Sequence, residues 1–425
     1  MLSDYSQLLF DVQKKSNITI TTIRDVKYLK EEVEGQLNLV IGFNTLRRLF
    51  GFLEKNNPSI STLNTLSKYL GFSSFSNYKN HQANYSEWYF QQNLLRMQVQ
   101  KKIGDIEIEK INIGLLDGKN VIFLAYFLNY QIEKNNLETI ELIFQKVNFK
   151  NVTGTQFHKF STVVTLSLLN IPEKKALKIY ETLIHYDIFR NNIPLLFIDY
   201  SNLNSRYYNI LKLIEKNAAN DSDLLFVFLM FFYKEFYSEN VLHLNYELKK
   251  PIGFSGFYSV LKGRYYGCCI LQSQKVSQKL KKEIFEECNS IKISYFLEEI
   301  IPSLIIKNEY QFLRELIDLY YEEIFESDVW SSMTTNSIYL IGLSNVNWYT
   351  DNITMAKRNL ELVELEKVEL GYYEYVALFY HLTELKISFT EKNINTNKTS
   401  YTLLNALVNR TKLIKFKSEA QKFLL

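Results

Sequence analysis

A chain of 425 residues with 47% hydrophobic and 22% charged residues has the make-up of a folded, soluble protein, long enough for about two to four domains. Only 14 glycines and 5 prolines punctuate it, which argues for long helices joined by short connections and against a strand-rich fold of this size. The formal charge is only +3, but it is unevenly placed: residues 41–102 hold eight Lys and Arg against Glu54 and Glu87, a basic module on a mildly acidic body that suits attraction to phosphate.

Three cysteines, Cys268, Cys269 and Cys288, supply neither a disulfide framework nor zinc spacing, and a reduced, cytoplasmic setting is expected. The N-terminus lacks a basic region followed by an apolar core, so no signal peptide is expected. The most apolar run, residues 224–233, is far short of the roughly 20 residues a bilayer requires. No membrane association is expected.

Taken in order, residues 4–15 form a short helix with Tyr5, Leu8, Leu9 and Val12 on one face. Thr21 or Thr22 caps a second helix from Ile23 to about Glu34, ended by Gly35, whose apolar face is Ile23, Val26, Leu29 and Val33. Residues 36–43 read as extended. A compact amphipathic helix then begins at Asn44 or Thr45, carries Arg47 and Arg48, and ends at Gly51. Pro58 and Ser59 open a fourth helix, with Leu63, Leu66 and Leu70 at helical spacing and Gly71 as its stop. A short turn follows at 74–80.

The pattern PSxxTLxxLxxYLGF, carried by Pro58, Ser59, Thr62, Leu63, Leu66, Leu70, Gly71 and Phe72, resembles lambda-repressor/Cro-like helix-turn-helix domains. With TLRRLFGF ahead of it, it is also similar to the N-terminal domains of an uncharacterised bacterial family in which such a pattern heads a long helical region. The likeness covers about 60 residues. It implies DNA contact from Asn44, Thr45, Arg47 and Arg48 on the recognition helix, with Lys55 and Lys68 as phosphate contacts that position it. One departure stands out: residues 36–42 are longer than the three-to-four-residue turn such a motif expects. The competing reading is that Leu46, Leu49 and Phe50 pack the helix while the arginines keep it soluble.

From residue 83 the texture changes. Residues 86–100 read as a helix with Trp88, Leu94, Leu95 and Met97 for packing. Helix-sized segments follow, among them 119–131, 136–147, 155–169, 173–188, 204–217, 222–238, 255–271, 274–288, 291–307 and 309–326, then 335–343, 353–366, 370–388 and 400–423. Many pair at a spacing of about 30–40 residues, within the range of helical repeats. The expected organisation is therefore all-α: a helix-turn-helix-like domain at 1–82, a connecting helix and linker at 83–118, and an α-solenoid of TPR-like hairpins at 119–425.

Chemistry beyond the basic module is sparse. Residues 253–267 concentrate four glycines around Tyr258, Arg264, Tyr265 and Tyr266. Two readings compete: a ligand or peptide pocket with Arg264 as an anion anchor, or close helix–helix approach through small residues. Glu298 and Glu299, adjacent on a helix, diverge rather than converge on one substrate and read as a solvated face. The five histidines lie far apart, and the SxxK matches at Ser76–Lys79 and Ser259–Lys262 lack their companion motifs. No cofactor, metal or enzymatic activity is expected. The C-terminal stretch reads as a capping helix.

The combined layout looks like bacterial peptide-sensing regulators that join a Cro-like domain to a TPR solenoid. It implies a DNA-binding transcriptional regulator acting on double-stranded DNA, whose repeats sense a peptide, small ligand or protein partner and form a homodimer. The alternative is a non-enzymatic protein-interaction scaffold whose N-terminal bundle binds no DNA.

Overall fold

The computed structural model describes residues 5–54, 57–100, 102–218, 220–238, 248–289, 292–325 and 332–425, with the backbone alone at 82–86 and 332. All regular structure among these residues is helical. The chain divides into two compact units after Phe123. Position 82, the expected end of the first domain, lies inside a continuous helix.

The first unit contains α1 (Ser6–Ser16), α2 (Ile23–Leu37), α3 (Phe43–Leu49), α4 (Ile60–Tyr69), α5 (Phe75–Gln98) and α6 (Asp105–Gly114). Its first helices close on a core in which Leu8, Val12, Val26, Leu29, Leu46 and Leu66 are completely buried. Local chemistry defines the ends. Thr22 and Asp25 form a capping box: the Thr22 hydroxyl accepts from the Asp25 N–H, and the Asp25 carboxylate accepts from the Thr22 N–H. Ser59 caps α4 as its position before the apolar run predicts, accepting from the Thr62 N–H. Gly51 and Gly71 both take positive φ after α3 and α4, the left-handed geometry that glycine adopts without strain.

Gly35 does not end α2. The helix runs on to Leu37, which packs against the core, and Asn38 (φ 51°) terminates it. A helical glycine is only about 1 kcal/mol worse than alanine, less than the packing Leu37 gains. The extended stretch expected at 36–43 therefore shrinks to the connection 38–42, near the length of a tight turn. The short turn and separate helix expected at 74–80 and 86–100 are likewise one helix, α5, with no glycine or proline to interrupt it. It packs on α6, where a Cβ on Gly114 would lie 2.0 Å from the Phe90 ring.

Beyond the division run α7 (Val121–Glu133), which crosses it, α8 (Leu137–Lys146), α9 (Gly154–Leu169), α10 (Glu173–Leu183) and α11 (Asp187–Asn192). After an irregular stretch come α12 (Arg206–Lys216), α13 (Asp221–Ser238), α14 (Ser259–Gln272), α15 (Gln278–Cys288), α16 (Ile293–Ile306), α17 (Tyr310–Leu319) and α18 (Tyr321–Phe325). The chain ends with α19 (Ser332–Tyr349), α20 (Ile353–Glu361), α21 (Tyr373–Thr390), α22 (Ile394–Thr411) and α23 (Lys415–Ala420).

A succession of helices, α13, α14, α16, α19 and α21, pack each on the next. Gly263 and Gly267 make the contact between α14 and α16 possible. A Cβ on Gly263 would lie 2.5 Å from the Phe296 carbonyl oxygen, and one on Gly267 3.1 Å from the Glu299 carbonyl oxygen and 2.3 Å from the Tyr233 hydroxyl of α13. The close-approach reading of the glycine-rich stretch is thus what these two positions do. Asparagines perform much of the remaining punctuation. Asn135 and Asn308 take left-handed backbone, while Asn136, Asn352 and Asn393 cap helices with their side chains. That accounts for a helical chain with so few glycines and prolines. No single helix among the described residues is long and apolar enough to cross a membrane.

Candidate functional site

In the first unit, α3 projects the residues that the sequence marks for DNA. Gly42 stands at its start, so Asn44 and Thr45 occupy the first turn. Asn44 is exposed, while Thr45, Arg47 and Arg48 are half-buried. Arg47 donates through Nη1 to the Asn44 side-chain oxygen at 3.3 Å and lies 5.8 Å from the Phe43 ring centre. Neither Arg47 nor Arg48 forms an ion pair among the described residues. Arg48, Thr45, Asn57, Ser59 and Thr62 line a polar cleft of about 160 Å³ between α3 and the start of α4. The cleft lies at the N-terminal end of α4, the positive end of its dipole. Lys68 is exposed in the last turn of α4, about 13 Å along the axis from Ser59 at the helical rise per residue. It does not join the cleft. Lys55 lies outside the described residues.

The second unit holds a larger cavity, of about 570 Å³. Two of the four residues expected at a pocket, Tyr258 and Arg264, line it. Tyr265 and Tyr266 do not. Each step along a helix turns a side chain by about 100°, and these two rings point instead toward Phe254, at centroid distances of 4.9 and 6.1 Å. The Tyr265 hydroxyl donates to the Leu248 carbonyl at 3.2 Å.

Arg264 is not a free anion anchor. It is fully buried, and its Nη2 donates to Glu299 Oε1 at 2.7 Å and to the Tyr372 hydroxyl at 3.2 Å, while Nε donates to the Tyr200 hydroxyl at 3.3 Å. Tyr200 and Tyr372 in turn donate to the two oxygens of Glu299, at 2.7 and 3.1 Å. Burial works against the guanidinium charge, but Glu299, Tyr200 and Tyr372 hold it protonated. The irregular stretch before α12 delivers Tyr200 to this network, pinned where the Ser201 N–H donates to the Gly371 carbonyl at 3.2 Å.

Glu298 and Glu299 are both buried, which corrects their reading as a solvated face. They do diverge. Glu299 turns to Arg264, and Glu298 turns to the cavity, where it accepts from the Thr335 hydroxyl. Burial, reinforced by the neighbouring Glu299 charge, pushes the Glu298 carboxyl up to about 8. Glu369 also faces the cavity, and burial raises it to about 7. The His158 imidazole, 3.1 Å from Glu369, is held neutral by burial, its pKa lowered to about 4. A signal for the buried pair was present in the sequence. ISYFLEEIIPSLII has no polar face on which two glutamates could be solvated, since the residues around them are apolar on every side.

Among the described residues, no group of three or more His, Cys, Asp or Glu is placed to hold a metal ion. No family model matches the chain, and no curated protein or solved structure is significantly similar to it.

Proposed function

We propose that the chain is a DNA-binding transcriptional regulator. Its first unit meets duplex DNA through α3, and its second unit is a helical-repeat, solenoid-like sensor. The observation that carries this reading is the state of Arg47 and Arg48: two adjacent arginines on a seven-residue helix, half-exposed and in no ion pair among the described residues. Arg48 lines a cleft at the N-terminal end of α4, where a phosphate oxygen finds positive potential. The connection 38–42 between α2 and α3 supports a helix-turn-helix reading, as does the separate core of this small unit. For the second unit, α14, α16, α19 and α21 start 34, 39 and 41 residues apart, the period of stacked helical hairpins.

The test is fluorescence anisotropy of a mixed-sequence duplex titrated with the full chain. Binding is expected at about 50 mM salt, weakening with added salt by about 0.9 log units per log unit for each phosphate contact. The Arg47→Ala/Arg48→Ala variant is expected to bind at least about tenfold more weakly. If it binds as well as the parent, α3 is not the reading helix.

A specific observation also favours a homodimer. Trp88 and Leu95 on α5, with Val99 at its C-terminal cap, fall on one face at helical spacing, Ile106 and Ile113 do the same on α6, and all five side chains are more than half exposed. A second copy covering these faces would provide the paired half-site contact a symmetric regulator uses. The same surface serves the scaffold alternative, in which the first unit binds a protein and no DNA. Sedimentation equilibrium tests the dimer: a dimeric parent that Leu95→Glu with Ile113→Glu converts to monomer supports it, and a monomeric parent removes it.

A further inference from the structure

Two carboxyl groups face the cavity of the second unit, and the cations on its walls do not answer them. Lys262 lies 3.0 Å from Glu287 and is engaged there. Arg264 is bound within the Glu299, Tyr200 and Tyr372 network. Lys292, the remaining basic lining residue, is exposed. Glu298, by contrast, is buried, accepts from Thr335, and forms no ion pair among the described residues. Among the described residues, the one basic side chain in ion-pair distance of Glu369 is His158, which burial holds neutral. Tyr258, Tyr295 and Tyr372 supply aromatic wall.

We propose that this cavity binds an aliphatic amine, with its ammonium group held by the carboxylates of Glu298 and Glu369 inside the tyrosine-walled space. The volume lies within the usual range for a small-molecule site. The charge pattern selects the ligand. An anion would approach two carboxyls, and the guanidinium beside them is already paired with Glu299. A neutral apolar ligand would leave both carboxyls desolvated with nothing gained. An ammonium reverses the burial penalty, because each carboxyl then ionises against an opposite charge, and aromatic faces attract the same cation.

Proton bookkeeping follows directly. Glu298 faces Glu369 across the cavity, with Glu299 and Arg264 behind it and Thr335 and Tyr339 on α19. Glu369 faces Glu298, His158 on α9 and Tyr295 on α16. Of these, the two glutamates are the groups held partly protonated near neutrality, so an arriving ammonium expels protons to solvent.

The inference deepens the sensor half of the reading above and rests on that half alone. It is tested by isothermal titration calorimetry on the full chain near neutral pH, with a matched four-carbon series: putrescine, 1,4-butanediol and succinate. Putrescine is expected to bind saturably, with a Kd below about 1 mM, and to release protons, seen as heats that change with the ionisation enthalpy of the buffer. The diol and the diacid are expected not to bind. Glu298→Gln/Glu369→Gln keeps an acceptor for Thr335 and is expected to melt no lower than the parent. It should bind putrescine about tenfold or more weakly, without proton release. Undiminished binding by that variant, binding of succinate in place of putrescine, or no binding of putrescine overturns the proposal. Loss of duplex affinity in the Arg47/Arg48 variant leaves this measurement unchanged, so the two readings fail separately.

Discussion

At the scale of single residues, the second unit is organised around charges it has taken out of water. Arg264 is tolerable in the core because Glu299 and two tyrosine hydroxyls saturate one face of its guanidinium, with the Phe226 ring 5.3 Å from it. Removing one partner of such a pair leaves the other charge uncompensated, which costs about 3–5 kcal/mol. Glu299→Ala is therefore expected to lower the unfolding free energy by that amount, seen as a lower urea midpoint with an unchanged slope. A loss below about 1 kcal/mol would show that the network contributes geometry rather than stability. Lys386 is a second case with the opposite electrostatics. It is fully buried, donates to the Tyr310 hydroxyl and the Asn345 side-chain oxygen at 2.7 and 2.9 Å, and burial lowers its pKa to about 7. Its folded value lies below its unfolded one, so between about pH 7 and 10.5 the unfolded chain binds more protons and stability rises with pH. Lys386→Met is expected to flatten that rise, measured as urea midpoints across the window. An unaltered slope would mean that other groups produce it.

At the scale of elements, glycine has opposite meanings at two positions. Gly35 sits in the exposed body of α2 with nothing within 4 Å of where a Cβ would stand. Gly35→Ala is expected to raise stability by up to about 1 kcal/mol through helix propensity alone. Gly263→Ala gains the same propensity, but its Cβ meets the Phe296 carbonyl oxygen at 2.5 Å and Glu299 Cβ at 3.0 Å. Neither is the free end of a flexible side chain. Overpacking of about 1–3 kcal/mol outweighs the gain, so this variant should melt lower than the parent. The contrast also marks how far the sequence could be read. Helix placement was largely legible, because polar breaks and caps such as Ser59 act locally: α4, α9 and α13 begin within a residue or two of expectation. The end of α2 was not, because Gly35 is a stop only where no packing continues beyond it, and Leu37 does continue it. The middle of α5 misled for a related reason. A polar run looks like a break, yet a helix persists through it when nothing forbids the backbone. Within the candidate sites, Arg47, Arg48, Tyr258 and Arg264 could be named from composition. Glu369, Tyr372 and the Tyr200 partner of Arg264 come together only through contacts between α16, the segment leading into α21 and the irregular stretch before α12, which no local pattern encodes.

For the whole molecule, the division after Phe123 gives two bodies, each with its own completely buried side chains. Domains with separate cores unfold as separate cooperative units unless a large apolar interface joins them. Differential scanning calorimetry of the full chain is accordingly expected to show two transitions, the smaller enthalpy belonging to the first unit, since unfolding enthalpy scales with the number of residues released. Two core truncations assign them. Leu66 is fully buried in the first unit and Leu297 in the second; each cut to alanine costs about 2–5 kcal/mol. Leu66→Ala should lower only the small transition and Leu297→Ala only the large one. Duplex DNA, binding the first unit, should then raise the small transition alone, because a ligand stabilises the cooperative unit that holds it. Putrescine should raise the large one alone. A single transition shifted by both truncations would mean that the chain unfolds as one body.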